Sequence, residues 1–286
     1  MKKLTKKQLL YAVCTIAVIA IMASFTALIA VPSVKKAAVN VAKNDLFENY
    51  YSFPESGLIT AGNGFSGNNK NSLLYVKAAF QNDADCIEVD LCFDKDGKPF
   101  IAEDSEQIGP GTMPFEYLIS FVSEEMNTSS QRKRSINIHL EDASGIKEVS
   151  EIISRYAMEE YCFFTGININ QASFISKNTT IPFYLDYEID KSKAKNAEYA
   201  ASVVNEVSAS GAVGINCKAD SFSDILMSLF KENWLKISFY GVETEFDIID
   251  ALMFSPNQII TSNPQLVRSI LIEWNANAPS SDIIPS

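Results

Sequence analysis

The residues best equipped for chemistry lie together in Cys86–Asp104, CIEVDLCFDKDGKPFIAED. Strand alternation puts Cys86, Glu88, Asp90 and Cys92 on one face and Ile87, Val89, Leu91 and Phe93 on the other. The apolar face suits a covering layer of helices. The opposite face carries two carboxylates, which are costly to bury unless a cation or hydrogen bonds compensate them. A pair that converges on a barrel or pocket interior is a metal-site candidate, and the alternative is a solvated strand end. Asp94-Lys95-Asp96-Gly97 then reads as a tight turn and Pro99–Ala102 as a short return strand.

Those carboxylates need a frame to position them. From Gly57 onward, strand-like and helix-like segments alternate. The strands read as Leu58–Ala61, the Cys86 segment, Ser135–Leu140, Tyr161–Ile169, Pro182–Tyr187, Ala212–Cys217, Leu235–Tyr240 and Gln258–Thr261. Helices are expected between them, the first capped by Asn71 or Ser72, one beginning at Pro114, and the last running from Pro264 to Trp274. Eight strand–helix units in about 215 residues point to an α/β fold of the closed (β/α)8 TIM barrel type. A doubly wound open sheet is the alternative, but no GxGxxG turn follows the first strand. In a barrel, chemistry sits at the C-terminal ends of the strands.

The charge is divided unevenly. Residues 1–43 hold seven lysines and no acid, and removing them from the net −11 leaves −18 on the rest. So acidic a domain is a poor partner for nucleic acid, which is excluded, while a divalent cation suits it. Leu9–Val31 is apolar throughout and long enough to span a bilayer as a helix. Lysines 2, 3, 6 and 7 precede it and favour a cytoplasmic N-terminus. A cleaved signal peptide competes with a retained anchor, but such peptides have shorter apolar cores. The expected organisation is a basic N-terminus (1–8), a transmembrane anchor (9–31), a juxtamembrane stalk (32–56), the barrel (57–274) and a flexible tail (275–286). The barrel would then lie outside the cytoplasm on a single-pass cell-membrane protein. The five cysteines, one of them (Cys14) in the anchor, do not form a disulfide framework.

Several segments, in order and at similar spacing, resemble the glycerophosphodiester phosphodiesterase family. They are Leu58-Ile-Thr-Ala-Gly-Asn-Gly64, Lys70-Asn71-Ser72, Glu88-Val89-Asp90 and Asp96-Gly97-Lys98-Pro99 through Glu103-Asp104. Further on come Asn137-Ile138-His139-Leu140-Glu141, the stretch around Tyr240, and Ile259-Ile260-Thr261-Ser262-Asn263-Pro264. The family counterparts are AHRG, ENT, ExD, DGxxVxxHD, NIElK, VxxWTVN and IITDxP. The resemblance covers roughly residues 57–271. It implies a TIM-barrel phosphoric diester hydrolase of glycerophosphodiester and lipid metabolism. In such an enzyme calcium or magnesium is held by the ExD carboxylates and the NIElK glutamate, and two histidines move protons. The cation would neutralise the phosphodiester and the imidazoles would serve attack and departure.

This chain departs from that pattern at most of the reacting positions. Gly62 and Asn63 stand where the family has the first histidine and the arginine, and Lys70 replaces the ENT glutamate. Glu103 replaces the second histidine, His139 the third metal ligand, Glu141 the following lysine, and Tyr240 the tryptophan. Glu88 and Asp90 remain, so Glu88, Asp90 and His139 form the candidate metal set. It is suited to a transition metal if His139 ligates and to calcium or magnesium by resemblance, with a site holding no cation as the alternative. Glu103 is the candidate acid–base group, given desolvation. Asn63, Lys70, Glu141 and Tyr240 are candidates to contact substrate. The expectation is a membrane-tethered phosphodiesterase-family protein with impaired or lost catalysis. The alternative is a non-catalytic module that binds a phosphodiester, lipid head group or protein partner at the envelope surface.

Overall fold

The computed structural model describes residues 53–277 apart from 55–56, 63, 66, 83 and 129–133. The expected anchor, N-terminus, most of the stalk, Asn63 and residues 278–286 lie outside the described residues. Among those described, no helix is long and apolar enough to cross a membrane.

Eight parallel strands close into a barrel. They are β1 (Ile59–Ala61), β2 (Cys86–Phe93), β5 (Ser135–Leu140), β6 (Cys162–Ile167), β7 (Phe183–Asp186), β8 (Gly214–Cys217), β9 (Lys236–Phe239) and β10 (Gln258–Thr261). Closure rests on β1, which pairs in parallel with β10 (Ile59 opposite Ile259) and with β2 (Thr60 opposite Cys86). That closure excludes the open-sheet alternative. Two further strands, β3 (Pro99–Ile101) and β4 (Met113–Pro114), extend β2 as antiparallel ribbons and raise one wall of the barrel mouth.

Eight described helices surround the barrel. The first four are α1 (Leu73–Gln81), α2 (Phe115–Thr128), α3 (Ile146–Arg155) and α4 (Ile169–Asn178). The others are α5 (Ala197–Ser210), α6 (Asp224–Glu232), α7 (Glu245–Met253) and α8 (Pro264–Asn277). Ser72 caps α1 by accepting from the Tyr75 amide, and Asn168 and Thr244 form capping boxes on α4 and α7. Pro114 falls in β4, one residue before its helix. The last helix continues past Trp274 to Asn277, into the segment expected to be tail. Phe53, expected in the stalk, packs edge-on against Trp274 at 5.5 Å, and its backbone is held by the Asn275 amide.

All eight residues of β2 are buried, because it has barrel neighbours on both sides and layers on both faces. Tyr75 of α1 is fully buried, with its hydroxyl 2.5 Å from the Ala61 carbonyl and 3.1 Å from that of Glu88. It locks the first helix to the two strands that carry the site. Cys86, Cys92, Cys162 and Cys217 are free, buried thiols, and burial pushes that of Cys92 up to about 11.

Candidate active site at the barrel mouth

The strand register decides which side chains meet. β2 pairs with β5 so that Glu88 lies opposite Asn137 and Asp90 opposite His139. Both carboxylates point inward near the C-terminal end of the barrel, where they are 8% and 4% exposed. They border a cavity of about 1580 Å³ that Lys70, Glu103, His139 and Glu141 also line.

Each carboxylate oxygen already has a donor. The Lys70 ammonium, from the loop after β1, lies 2.8 Å from Glu88 Oε1 and 2.7 Å from Asp90 Oδ1. Asn137 Nδ2 donates to Glu88 Oε2 at 3.0 Å, and Asn71 Nδ2 donates to Asp90 Oδ2 at 2.9 Å. Asn71 also accepts from the Asp90 backbone amide at 2.9 Å, so it grips that residue at two points. Its φ of 70° is left-handed, a conformation asparagine tolerates better than most residues. Burial works against the Lys70 charge, but Glu88 and Asp90 outweigh it and raise its pKa above the ordinary 10.5. Lys70 is therefore a cation here and not an amine nucleophile.

A polar belt continues around the interior. Thr165 donates to Asn137 Oδ1 at 2.8 Å, with its hydroxyl 3.3 Å from His139 Nδ1. His139 Nε2 lies 3.5 Å from Glu141 Oε1. Asp186 accepts from the Gly166 amide and from Asn216 Nδ2, both at 3.1 Å, and Ser238 donates to Asn216 Oδ1 at 2.9 Å. Burial pushes the Asp186 carboxyl above its usual range, against the opposing pull of Asn216, His139 and the Gly166 amide.

The expected site residues have separate fates. Glu88 and Asp90 are together, with Lys70 between them. Among the described residues, the His, Cys, Asp and Glu groups of three or more whose ligand atoms lie within 4.8 Å of one another come to one set, Asp90, His139 and Glu141, which leaves out Glu88. His139 is half-buried. Glu103 is exposed on the rim, so the desolvation that an acid–base role required is missing: it follows β3, an antiparallel extension, and not a barrel strand. Tyr240 is 36% exposed and lines the cavity. The carboxylate-holding roles of Asn71 and Asn137 had no local signal, since they depend on which strands and loops become neighbours.

The arrangement does not fit a divalent cation between Glu88 and Asp90 while Lys70 is in place. A cation on Asp90, His139 and Glu141 would share Asp90 with the ammonium. Unit like charges 4 Å apart repel by about 4 kcal/mol at an effective dielectric of 20, and a dication doubles that.

Gly62, at the end of β1, stands where the resemblance puts a histidine. A side chain there would start 2.7 Å from Ile260 Cγ2 and 3.7 Å from Glu88 Oε1. The position borders Glu88, but a Cβ there meets Ile260 of β10 closer than van der Waals contact allows.

No family model matches the sequence, and no curated protein matches it. Among solved structures the fold is that of the glycerophosphodiester phosphodiesterases. A protein assigned as a glycerophosphoryl diester phosphodiesterase from Agrobacterium tumefaciens superposes with a TM-score of 0.61 at 16% identity, over 76% of this chain and 98% of its own. A glycerophosphodiester phosphodiesterase from Parabacteroides distasonis gives 0.58 at 13% identity, over 76% and 97%. An Oleispira antarctica phosphodiesterase, solved with its product sn-glycerol-3-phosphate, gives 0.52 at 14% identity, over 79% and 99%.

Proposed function

We propose that this chain is a membrane-anchored barrel of the glycerophosphodiester phosphodiesterase type that binds a polar head group at its mouth and has lost efficient hydrolysis. The observation that carries this reading is Gly62. A Cβ at this position would lie 2.7 Å from Ile260 Cγ2, so no side chain enters there unless Ile260 moves. The other expected proton carrier, Glu103, is exposed. A missing acid–base group costs about 10²–10⁴ in rate, and two are missing.

The lining favours a particular head group. Among the described residues, five carboxylates (Glu88, Asp90, Glu103, Glu141 and Asp186) face the cavity against Lys70 and His139. A bare phosphate is repelled by that balance, whereas a zwitterionic amino-alcohol phosphodiester brings an ammonium group to the carboxylates. Lipid head groups of this class would lie within reach of a barrel tethered beside the bilayer by residues 9–31.

The test uses the full-length protein with glycerophosphocholine, glycerophosphoethanolamine and glycerol 3-phosphate, with and without calcium, magnesium and manganese. The expected outcome is a ligand-induced rise in melting temperature with the ammonium-bearing diesters and no product. Turnover abolished by both Glu88→Ala and Glu103→Ala would overturn the reading. It would favour instead a slow diesterase that depends on those two carboxylates. Release of the protein from membranes by high salt would refute the anchor.

A further inference from the structure

We infer that Lys70 is a tethered stand-in for a divalent cation, and that the Glu88–Asp90 pair is a latent cation site this side chain keeps closed. The inference rests on the placement of Lys70 and holds whether or not the barrel hydrolyses anything.

Three features carry it. The ammonium bridges the two carboxylates at 2.8 and 2.7 Å, sitting between one oxygen of each as a shared metal ion would. The other oxygens are held independently of the lysine, by Asn137 on β5 and by Asn71. Removing the ammonium therefore leaves the two carboxylates oriented towards the place it occupied. Finally, the charges are unequal: one positive charge faces two negative ones, which are 8% and 4% exposed. A neutral residue at 70 leaves an uncompensated buried pair beside a cavity that admits ions from solvent. Two carboxylates with open coordination positions are an oxygen-donor site for a hard cation such as calcium or magnesium.

The closure is local. Lys70 and Asn71 are consecutive, and the left-handed φ of Asn71, with its two bonds to Asp90, fixes where the lysine begins. A single loop thus supplies both the replacement charge and its register.

The experiment titrates calcium, magnesium and manganese into full-length wild type, Lys70→Gln and Lys70→Met, read by calorimetry and thermal melting. Wild type should show no binding up to about 10 mM, far above the range of weak calcium modules. Both variants should bind with a dissociation constant on the order of 0.1–1 mM. At a hundredfold excess of cation they should melt roughly 5–10 °C higher than without it. Adding Glu88→Gln to Lys70→Gln should abolish the gain, whereas adding His139→Gln should spare it. Folding of Lys70→Met only when a cation is present would also support the inference. It fails if wild type binds as tightly as the variants, if the folded variants bind nothing, or if neither variant folds with or without cation. The reverse pattern in the double variants, with His139 needed and Glu88 dispensable, would overturn it too.

Discussion

One stretch of chain carries two buried ion pairs, and they are built differently. Asp85, just before β2, meets Arg268 of α8 at 2.8 Å, and the two side chains are 1% and 9% exposed. Asp85 also accepts from the Ile59 amide through Oδ2, and its backbone bonds to Ile59 and Ser135, where β1, β2 and β5 begin. That pair is balanced, one acid to one base, in the sealed base of the barrel. Three to five residues later Glu88 and Asp90 share a single lysine beside an open cavity. Balance suits a joint whose task is to hold the barrel shut. Imbalance costs stability and leaves charge facing solvent, the property expected of the end of a barrel that meets ligands.

The largest effect should come from breaking the sealed pair. Arg268→Met strands Asp85 without its cation and is expected to cost about 3–5 kcal/mol in chemical denaturation, with no recovery on adding divalent cations. Lys70→Met should cost less, about 1–3 kcal/mol, because water reaches the mouth, and the loss should be recovered by a cation. If both variants lost the same and neither recovered, the two pairs would be alike and the distinction between base and mouth would fall.

The barrel was legible from the chain because each element announces itself locally. Ser135–Leu140 and Gln258–Thr261 match their sequence-read bounds, and most other elements differ by one to three residues. The identity of the site's carboxylates was legible too, from alternation in β2. What was not legible is every partner those carboxylates have. Lys70, read as a substrate contact, reaches forward across 18 and 20 residues to Glu88 and Asp90, and Asn137 reaches back to Glu88 across 49. Such contacts follow from barrel register, which no local pattern encodes. Glu103 failed for a different reason: the return strand expected at Pro99–Ala102 does pair antiparallel with β2, but it leads out to a rim where Glu103 is exposed, and burial there has no local signal.

Next in size is the packing at Gly62. Gly62→His drives a side chain against Ile260, and overpacking of that kind is expected to cost about 1–3 kcal/mol. Pairing it with Ile260→Ala opens the space, so the double variant should be more stable than the two single losses predict by about 1 kcal/mol or more in a double-mutant cycle. Strict additivity would mean that Ile260 does not occupy the place of the missing side chain, and the case that the mouth is packed against hydrolysis would lose its main support.

The smallest effect tests the imbalance itself, through Asp186. Burial raises its carboxyl above the usual 3.8, so the folded state holds this proton more tightly than the unfolded one. Its contribution to stability is then fully present below pH 3.8 and is lost as pH rises through the elevated folded value, when a charge must be carried in a poorly solvated place. Asparagine removes that charge, and its side-chain oxygen keeps an acceptor for the Gly166 amide and Asn216. Asp186→Asn should therefore melt about 1–3 °C above wild type at pH 7 and level with it at pH 3. At the base, Asp85→Asn should do the opposite at pH 7, since it takes away half of a balanced pair. A lower melting temperature for Asp186→Asn at pH 7 would mean that its charge is compensated as fully as that of Asp85, and that the mouth keeps no surplus carboxylate for a ligand.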